Sequence, residues 1–309
     1  MTTMLGMLEG LYERGELNDL NACAGISAGA ILAAFCATRP IDEAVKELRD
    51  IMVHHYKDAI KPHYKLLNIP LSALFRDSIL DDSGLKDILQ KELEGKKLLA
   101  DLYVGVTNET LMRYEVHTFA ASGTTTSPLS IAEAVHASAS IPVVLKGEDV
   151  SQVHYSDGGV FHQIPVLEIE AMLSKVAAAE KGNPLLDLTI VSCSTWNYRP
   201  KYMETKLPYL AKKTMHFLDC ANYTNLSSDR EILRQAIALY KNEASVSLKM
   251  YSVPTKMLHQ LHARLRIDKM DKLTEKEIED LQEIGRKIVL ANCATYDIAQ
   301  DEPSPILKF

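Results

Sequence analysis

The chain has 309 residues, 24% of them charged and 47% hydrophobic, with a net charge of −7, which is enough apolar material to bury a sizeable core. The acidic excess argues against nucleic acid as a partner and against bulk attraction to an anionic membrane, so any membrane contact has to be local and transient. No apolar run reaches the roughly 18 residues that span a bilayer, and Glu9, Glu13 and Arg14 interrupt the N-terminal stretch too early for a secretory signal.

Taken in chain order, residues 4–15 carry apolar side chains at 4, 5, 7, 8, 11 and 12, a helical period that Gly15 ends. A short apolar strand is expected over 20–24 and a helix over 28–37, stopped by Arg39-Pro40. Between them stands Gly25-Ile26-Ser27-Ala28-Gly29. A serine on so tight a strand-to-helix turn is pushed out toward solvent, and a side chain at either flanking glycine is expected to collide with the backbone. The hydroxyl, and any oxyanion beside it, then faces the positive end of the helix. The pentapeptide also suits a close-packed helix start rich in Gly, Ala and Ser, so it decides nothing by itself.

Further along, Asp42 is expected to cap an amphipathic helix over 43–55. Residues 61–83, with Pro62 and Pro70, read as a loop or lid, and 84–94 as a helix. Two β-rich runs over 101–107 and 113–119, separated by 108–112, read as a hairpin. A small-residue helix over 130–140 stops at Ile141-Pro142. Asp157-Gly158-Gly159 follows, a sequence that suits an ordinary hairpin turn as well as a functional one. Residues 166–180 are expected to be helical and 186–193 to form a buried strand. Beyond residue 202 come expected helices over 209–221 and 229–242, a strand over 246–253, and a helix opened by a Thr274/Glu277 capping box and running to about Asn292. The whole reads as α/β, a mainly parallel sheet flanked by helices, with a C-terminal helical region.

The five cysteines, Cys23, Cys36, Cys193, Cys220 and Cys293, are odd in number and scattered, which suits a reducing compartment such as the cytoplasm. There is no C-x-x-C or H-E-x-x-H, so no metal is expected, and no cofactor. The basic and aromatic residues from Tyr198 to Lys213 suit either a lipid headgroup surface or, more commonly, a solvated face.

The serine elbow G-I-S-A-G, the helix ending A-S-x-x-I-P at 137–142 and the later D-G-G stand in the order and spacing of the patatin-like phospholipases, which this chain resembles from about residue 4 to residue 200. The resemblance implies a catalytic domain over 1–200, and the shift to helix-forming residues from Tyr202 onward reads as a helical extension over 201–309 packed on it. The resemblance also implies a lipid acyl hydrolase of phospholipase A or lysophospholipase type, acting on phospholipids or acylglycerols through a Ser/Asp dyad, with Ser27 as nucleophile and Asp157 as base. A carboxylate does this work only if burial raises its pKa toward neutrality. Gly25, Ala28 and Gly29 would shape the elbow, and the Ala28 N–H would serve the oxyanion. Gly158 and Gly159 would form a turn with positive φ that aims the aspartate. Members of the family carry a glycine-rich oxyanion segment ahead of the position matching Gly6, and this sequence begins at Met1-Thr2-Thr3-Met4-Leu5-Gly6. Either the reading frame starts upstream, or hydrolysis is weakened or lost and the fold serves as a lipid-binding or protein-interaction module. The rival mechanism is a Ser-His-Asp triad, for which His154, His162, His216, His259 and His262 are available by order.

Overall fold

The computed structural model describes residues 1–55, 59, 61–62, 80–142, 144–179, 184–192, 209–240, 245–253 and 274–291, with the backbone alone at 61–62, 80, 179, 209–223 and 245. Helix α1 (Thr2–Glu13) buries Met4, Leu5, Met7, Leu8 and Leu11, and the chain leaves it through Gly15 at φ 70°. Strand β1 (Ala22–Ile26) lies later than the expected 20–24, because Gly25 and Ile26 pair with β4 instead of belonging to the turn. Helix α2 (Ala28–Thr38) is buried on nearly every side, as its small residues allow. Helix α3 (Ile41–Asp50) continues into a π-helical turn, Ile51–His55. Asp42 does not cap α3: the helix starts one residue before it, behind Pro40, and Asp42 and Glu43 sit in the first turn, where the helix dipole favours acids.

Strands β2 (Lys61–Pro62) and β3 (Leu80–Asp81) form a two-residue antiparallel pair, and the rest of the expected lid lies outside the described residues. Helix α4 (Ser83–Leu93) leads to β4 (Asp101–Asn108) and β5 (Arg113–Phe119), which form the expected hairpin. Helix α5 (Ile131–Ala139) opens on a capping box made by Ser130 and Glu133. Strands β6 (Glu148–Val150) and β7 (Val153–Asp157) are joined through Ser151 and Gln152, both at positive φ, as a twisted two-residue hairpin turn requires. Helix α6 (Val166–Ala179) precedes β8 (Leu185–Ser192).

The two helices expected over 209–242 are one, α7 (Tyr209–Tyr240): nothing between 222 and 228 breaks the helix, and Asp229 turns its carboxylate to another part of the chain instead of capping. Strand β9 (Ser245–Ser252) and helix α8 (Glu275–Leu290), with its Thr274/Glu277 capping box, follow as expected. The remainder of the C-terminal third, the 198–208 stretch and the side chains of 209–213 lie outside the described residues, as do Cys193 and Cys293 and the side chain of Cys220.

The class is α/β, with helices flanking the main sheet and the β8–β9 pair among the described residues. Parallel pairing occurs at β1 with β4 and at β8 with β9, each across a connection that contains a helix. Antiparallel pairs complete the main sheet: the hairpin partner β5 along the whole of β4, β7 against the far end of β4, and β6 in a hairpin with β7. The main sheet is therefore mixed around a parallel centre. Because β1 and β7 both lie along β4, at 101–105 and 106–108 respectively, the end of β1 and the end of β7 converge over Gly105 and Val106. That convergence positions the site.

Two apolar clusters hold the layers. The larger joins α1 to α5 and the main sheet with Tyr251, Val253, Ile278, Leu281, Ile288 and Val289 from the C-terminal third. The second packs Ile164, Ile169 and Leu173 against Leu188, Ile190, Leu226, Leu233 and Met250. Helices α1 and α8 touch backbone to backbone, since a Cβ on Gly6 would lie 1.8 Å from the Gln282 carbonyl oxygen and one on Gly285 1.9 Å from that of Thr3.

Candidate active site

Ser27 is the residue between β1 and α2, with φ 55° and ψ −134°. Positive φ at a residue with a side chain is costly and persists only where surrounding bonds impose it. They do so here. The Ser27 N–H donates to Ser138 Oγ at 2.9 Å, and Ser138 Oγ in turn donates to the Gly105 carbonyl at 2.7 Å. Ser138, fully buried on α5, thus ties the elbow to the centre of the sheet. It belongs to the A-S-x-x-I-P string, which in the sequence carries no role beyond family likeness.

An N-cap serine ordinarily turns its hydroxyl onto an amide of the first helical turn. Ser27 makes no such bond. Its Oγ donates instead to Asp157 Oδ2 at 2.7 Å, across 130 residues of sequence. The amides of Ala28 and Gly29 open α2 at its positive pole, while the Ala30 N–H donates to the Ser27 carbonyl at 2.9 Å.

Asp157 ends β7. Its backbone is fixed twice, by its N–H donating to the Ser140 carbonyl at 2.9 Å and by Thr107 Oγ1 donating to its own carbonyl at 2.8 Å. Oδ1 accepts the Gly159 N–H at 2.7 Å, which leaves Oδ2 for Ser27. Burial pushes this carboxyl up from its ordinary 3.8 to about 6, while the hydrogen bonds from Ser27 and Gly159 pull the other way. The side chain is therefore ionised at neutral pH, yet basic enough to accept a proton.

The glycines serve by closeness rather than by φ. Gly158 and Gly159 are not among the residues at positive φ, and Gly158–Val160 is a 3-10 turn, neither a hairpin nor the positive-φ turn expected. A Cβ on Gly158 would stand 2.5 Å from the Gly105 carbonyl oxygen, and one on Gly159 2.9 Å from Asp157 Oδ1. Gly25 meets its expectation, with Gly29 O at 2.2 Å. Gly29 does not: a Cβ there would meet nothing within 4 Å.

Sequence reasoning passed over Gly105, a lone glycine inside a β-rich run, which is a known sign of close approach. The space a side chain would fill there holds the Tyr114 hydroxyl, at 1.8 Å from the ideal Cβ, and Glu168 Oε1, at 2.2 Å. Tyr114 donates to Glu168 Oε1 at 2.5 Å. Burial drives both upward: Glu168 reaches about 7 against the pull of the Tyr114 bond, and Tyr114 rises well above its ordinary range, with Glu168 adding to the rise.

Of the histidines considered for a triad, His154 Nδ1 lies 2.8 Å from Asp149 and His162 Nδ1 2.6 Å from Asp229. The side chain of His216 and all of His259 and His262 lie outside the described residues. His136, which no sequence signal marked, is buried on α5 between Glu148 Oε1 at 2.7 Å and Asp82 Oδ2 at 3.4 Å, and Lys86 closes the group on Glu148 at 2.7 Å. Burial lowers the His136 pKa, but its two acidic neighbours outweigh it and the net shift is upward. This group fixes α5, and with it Ser138. Cys23 and Cys36 are buried thiols, Cys23 pushed up to about 12 by desolvation and Cys36 higher still.

Compared with known families, residues 1–169 match the model of the patatin-like phospholipases, a span that holds Ser27 and Asp157 and ends within α6, short of the residue 200 to which the motifs extend the likeness. No curated protein matches the chain.

Proposed function

The chain belongs to the patatin-like phospholipase family, a family of lipid acyl hydrolases, and on that premise we propose that it cleaves fatty-acyl esters of phospholipids or acylglycerols, with Ser27 as nucleophile and Asp157 as its base. The observation that carries this reading is the 2.7 Å bond from Ser27 Oγ to Asp157 Oδ2. As Oγ attacks the ester carbonyl carbon, its proton passes to Oδ2. The tetrahedral intermediate collapses, the bond from carbon to the alcohol oxygen breaks, and Asp157 returns the proton to that oxygen. Water then attacks the acyl-serine, gives a proton to Asp157, and the fatty acid leaves as Ser27 recovers its hydrogen.

Negative charge on the carbonyl oxygen is met by the amides that open α2, Ala28 foremost, and not by Ala30, whose N–H is held by the Ser27 carbonyl. The Ser27 amide takes no part, because Ser138 holds it. Base function requires ionised Asp157, so activity is expected to rise as pH passes through about 6.

A fluorophosphonate probe tests the assignment. Covalent labelling at Ser27 in the folded full chain, lost in Ser27→Ala and reduced at least about 10³-fold in Asp157→Asn, is the expected result. Labelling that survives Asp157→Asn overturns the dyad, and a folded wild type that binds lipid without labelling would make the protein a silent lipid-binding module.

A further inference from the structure

Asp157 is followed by a loop, residues 158–164, that is held from the far side by α7, a helix lying wholly beyond the 169 residues that match the family. Gly159 donates its N–H to Asp157 Oδ1, and its carbonyl accepts Gln163 Nε2 at 2.6 Å. The Gln163 and Ile164 amides both donate to Asp229 Oδ2, at 2.6 and 3.0 Å. Asp229 Oδ1 lies 2.6 Å from His162 Nδ1. One turn earlier on α7, Asn225 Nδ2 donates to the Val160 carbonyl at 2.8 Å.

Asp229 has no solvent exposure and sits inside a long helix, flanked along it by the buried Leu226 and Leu233. An aspartate in a helix interior is poorly placed by propensity and expensive by desolvation. Here three polar groups of a distant loop converge on it, and all three belong to the segment directly behind the proposed base. A merely stabilising core contact at this position is better made by another leucine. The loop takes its form from this carboxylate.

We infer that Asp229, through Gln163, and Asn225, through Val160, are positioning residues for Asp157: α7 clamps the 158–164 loop, which keeps Oδ1 on the Gly159 amide and so presents Oδ2 to Ser27. The inference rests on the proposed role of Asp157, and it makes the C-terminal region part of the active site. Holding the Gly159 carbonyl fixes the 3-10 turn whose amide meets Oδ1; once that hold is removed, the carboxylate loses a bond that favours its charged form, and its pKa rises. The ionisable groups around the clamp are Asp229 itself, His162 in the loop, Tyr114 on β5 and Glu168 on α6; Gln163→Ala and Asn225→Ala remove no charge, whereas Asp229→Ala removes one that raises both Tyr114 and Glu168.

The test follows the Asp157 carboxyl by carbon-13 NMR titration of the full chain, in wild type, Gln163→Ala, Asn225→Ala and Asp229→Ala. The wild-type midpoint is expected near 6, and Gln163→Ala and Asn225→Ala are expected to titrate higher by about half a unit to one unit, the worth of one hydrogen bond; in Asp229→Ala the lost negative charge opposes that rise. Fluorophosphonate labelling at Ser27 should slow by about tenfold or more in step with that shift. Gln163→Ala and Asn225→Ala leave the backbone bonds to Asp229 intact, so they carry the test if Asp229→Ala does not fold. Gln163→Ala and Asn225→Ala proteins that fold and titrate at the wild-type midpoint overturn the clamp, even where labelling slows. If the wild type is not labelled at all, the hydrolase reading falls, while the titration still decides whether α7 governs Asp157.

Discussion

Asp157 carries two opposed demands, for it has to sit close enough to Ser27 to take a proton and dry enough to want one. Burial meets the second demand at the expense of stability. With a folded pKa of about 6 against an ordinary 3.8, the stability that protonated Asp157 contributes is complete below 3.8 and is lost as pH rises through about 6. Glu168 behaves alike, from 4.5 to about 7. Asp157→Asn removes the charge and is expected to stabilise the protein by up to about 3 kcal/mol at pH 8 while doing nothing of the kind at pH 4. Urea unfolding of both proteins at the two pH values checks this; an equal difference at both would deny the desolvation cost. Ser27 shows the same trade in its backbone, held at φ 55° by one bond to Ser138.

Among the elements, the elbow and α5 act as a pair. Ser138 bridges the Ser27 amide and the Gly105 carbonyl, so Ser138→Ala takes a hydrogen-bond partner from both backbone groups. The expected loss is about 1–3 kcal/mol in stability, with kcat falling more than KM rises, measured by denaturation and by ester hydrolysis. The two elbow glycines separate cleanly. Gly25→Ala drives a Cβ into the Gly29 backbone at 2.2 Å and is expected to abolish labelling at Ser27, whereas Gly29→Ala meets open space and is expected to keep labelling and gain about 0.5–1 kcal/mol from better helix propensity. A thermal melt beside each labelling assay tells the two apart. Much of this scale is legible in the sequence. Hydrophobic period marks α1, α6 and the β4–β5 hairpin, and the Ser130/Glu133 and Thr274/Glu277 boxes mark helix starts. Asp42 was misplaced as a cap and residue 229 as the start of a separate helix, since an acid before an apolar run looks the same to propensity whether it opens its own helix or reaches a distant loop.

Across the whole molecule, the C-terminal third supplies structure to the N-terminal two thirds. Tyr251 and Ile288 enter the larger core, Leu226 and Leu233 the second, and α8 lies on α1 at glycine-only distances. Gly285→Ala places a Cβ 1.9 Å from the Thr3 carbonyl oxygen, and neither backbone can yield cheaply. A loss of about 3 kcal/mol or more is expected, read as a lowered melting temperature. No helix among the described residues is long and apolar enough to cross a membrane.

Sequence alone determined the α/β alternation, the family, and the two residues proposed to share a proton, because each is written in local pattern: period, glycine spacing and short motifs. Tertiary structure decided what lies across long separations. The pairing of β1 and β7 along β4, the Ser138 bridge, the Tyr114 and Glu168 side chains filling the space beside Gly105, and the reach of Asp229 to the loop behind Asp157 all depend on which distant atoms share a buried space. Hydrogen bonds and desolvation act at a few ångströms, and only the folded chain sets those distances.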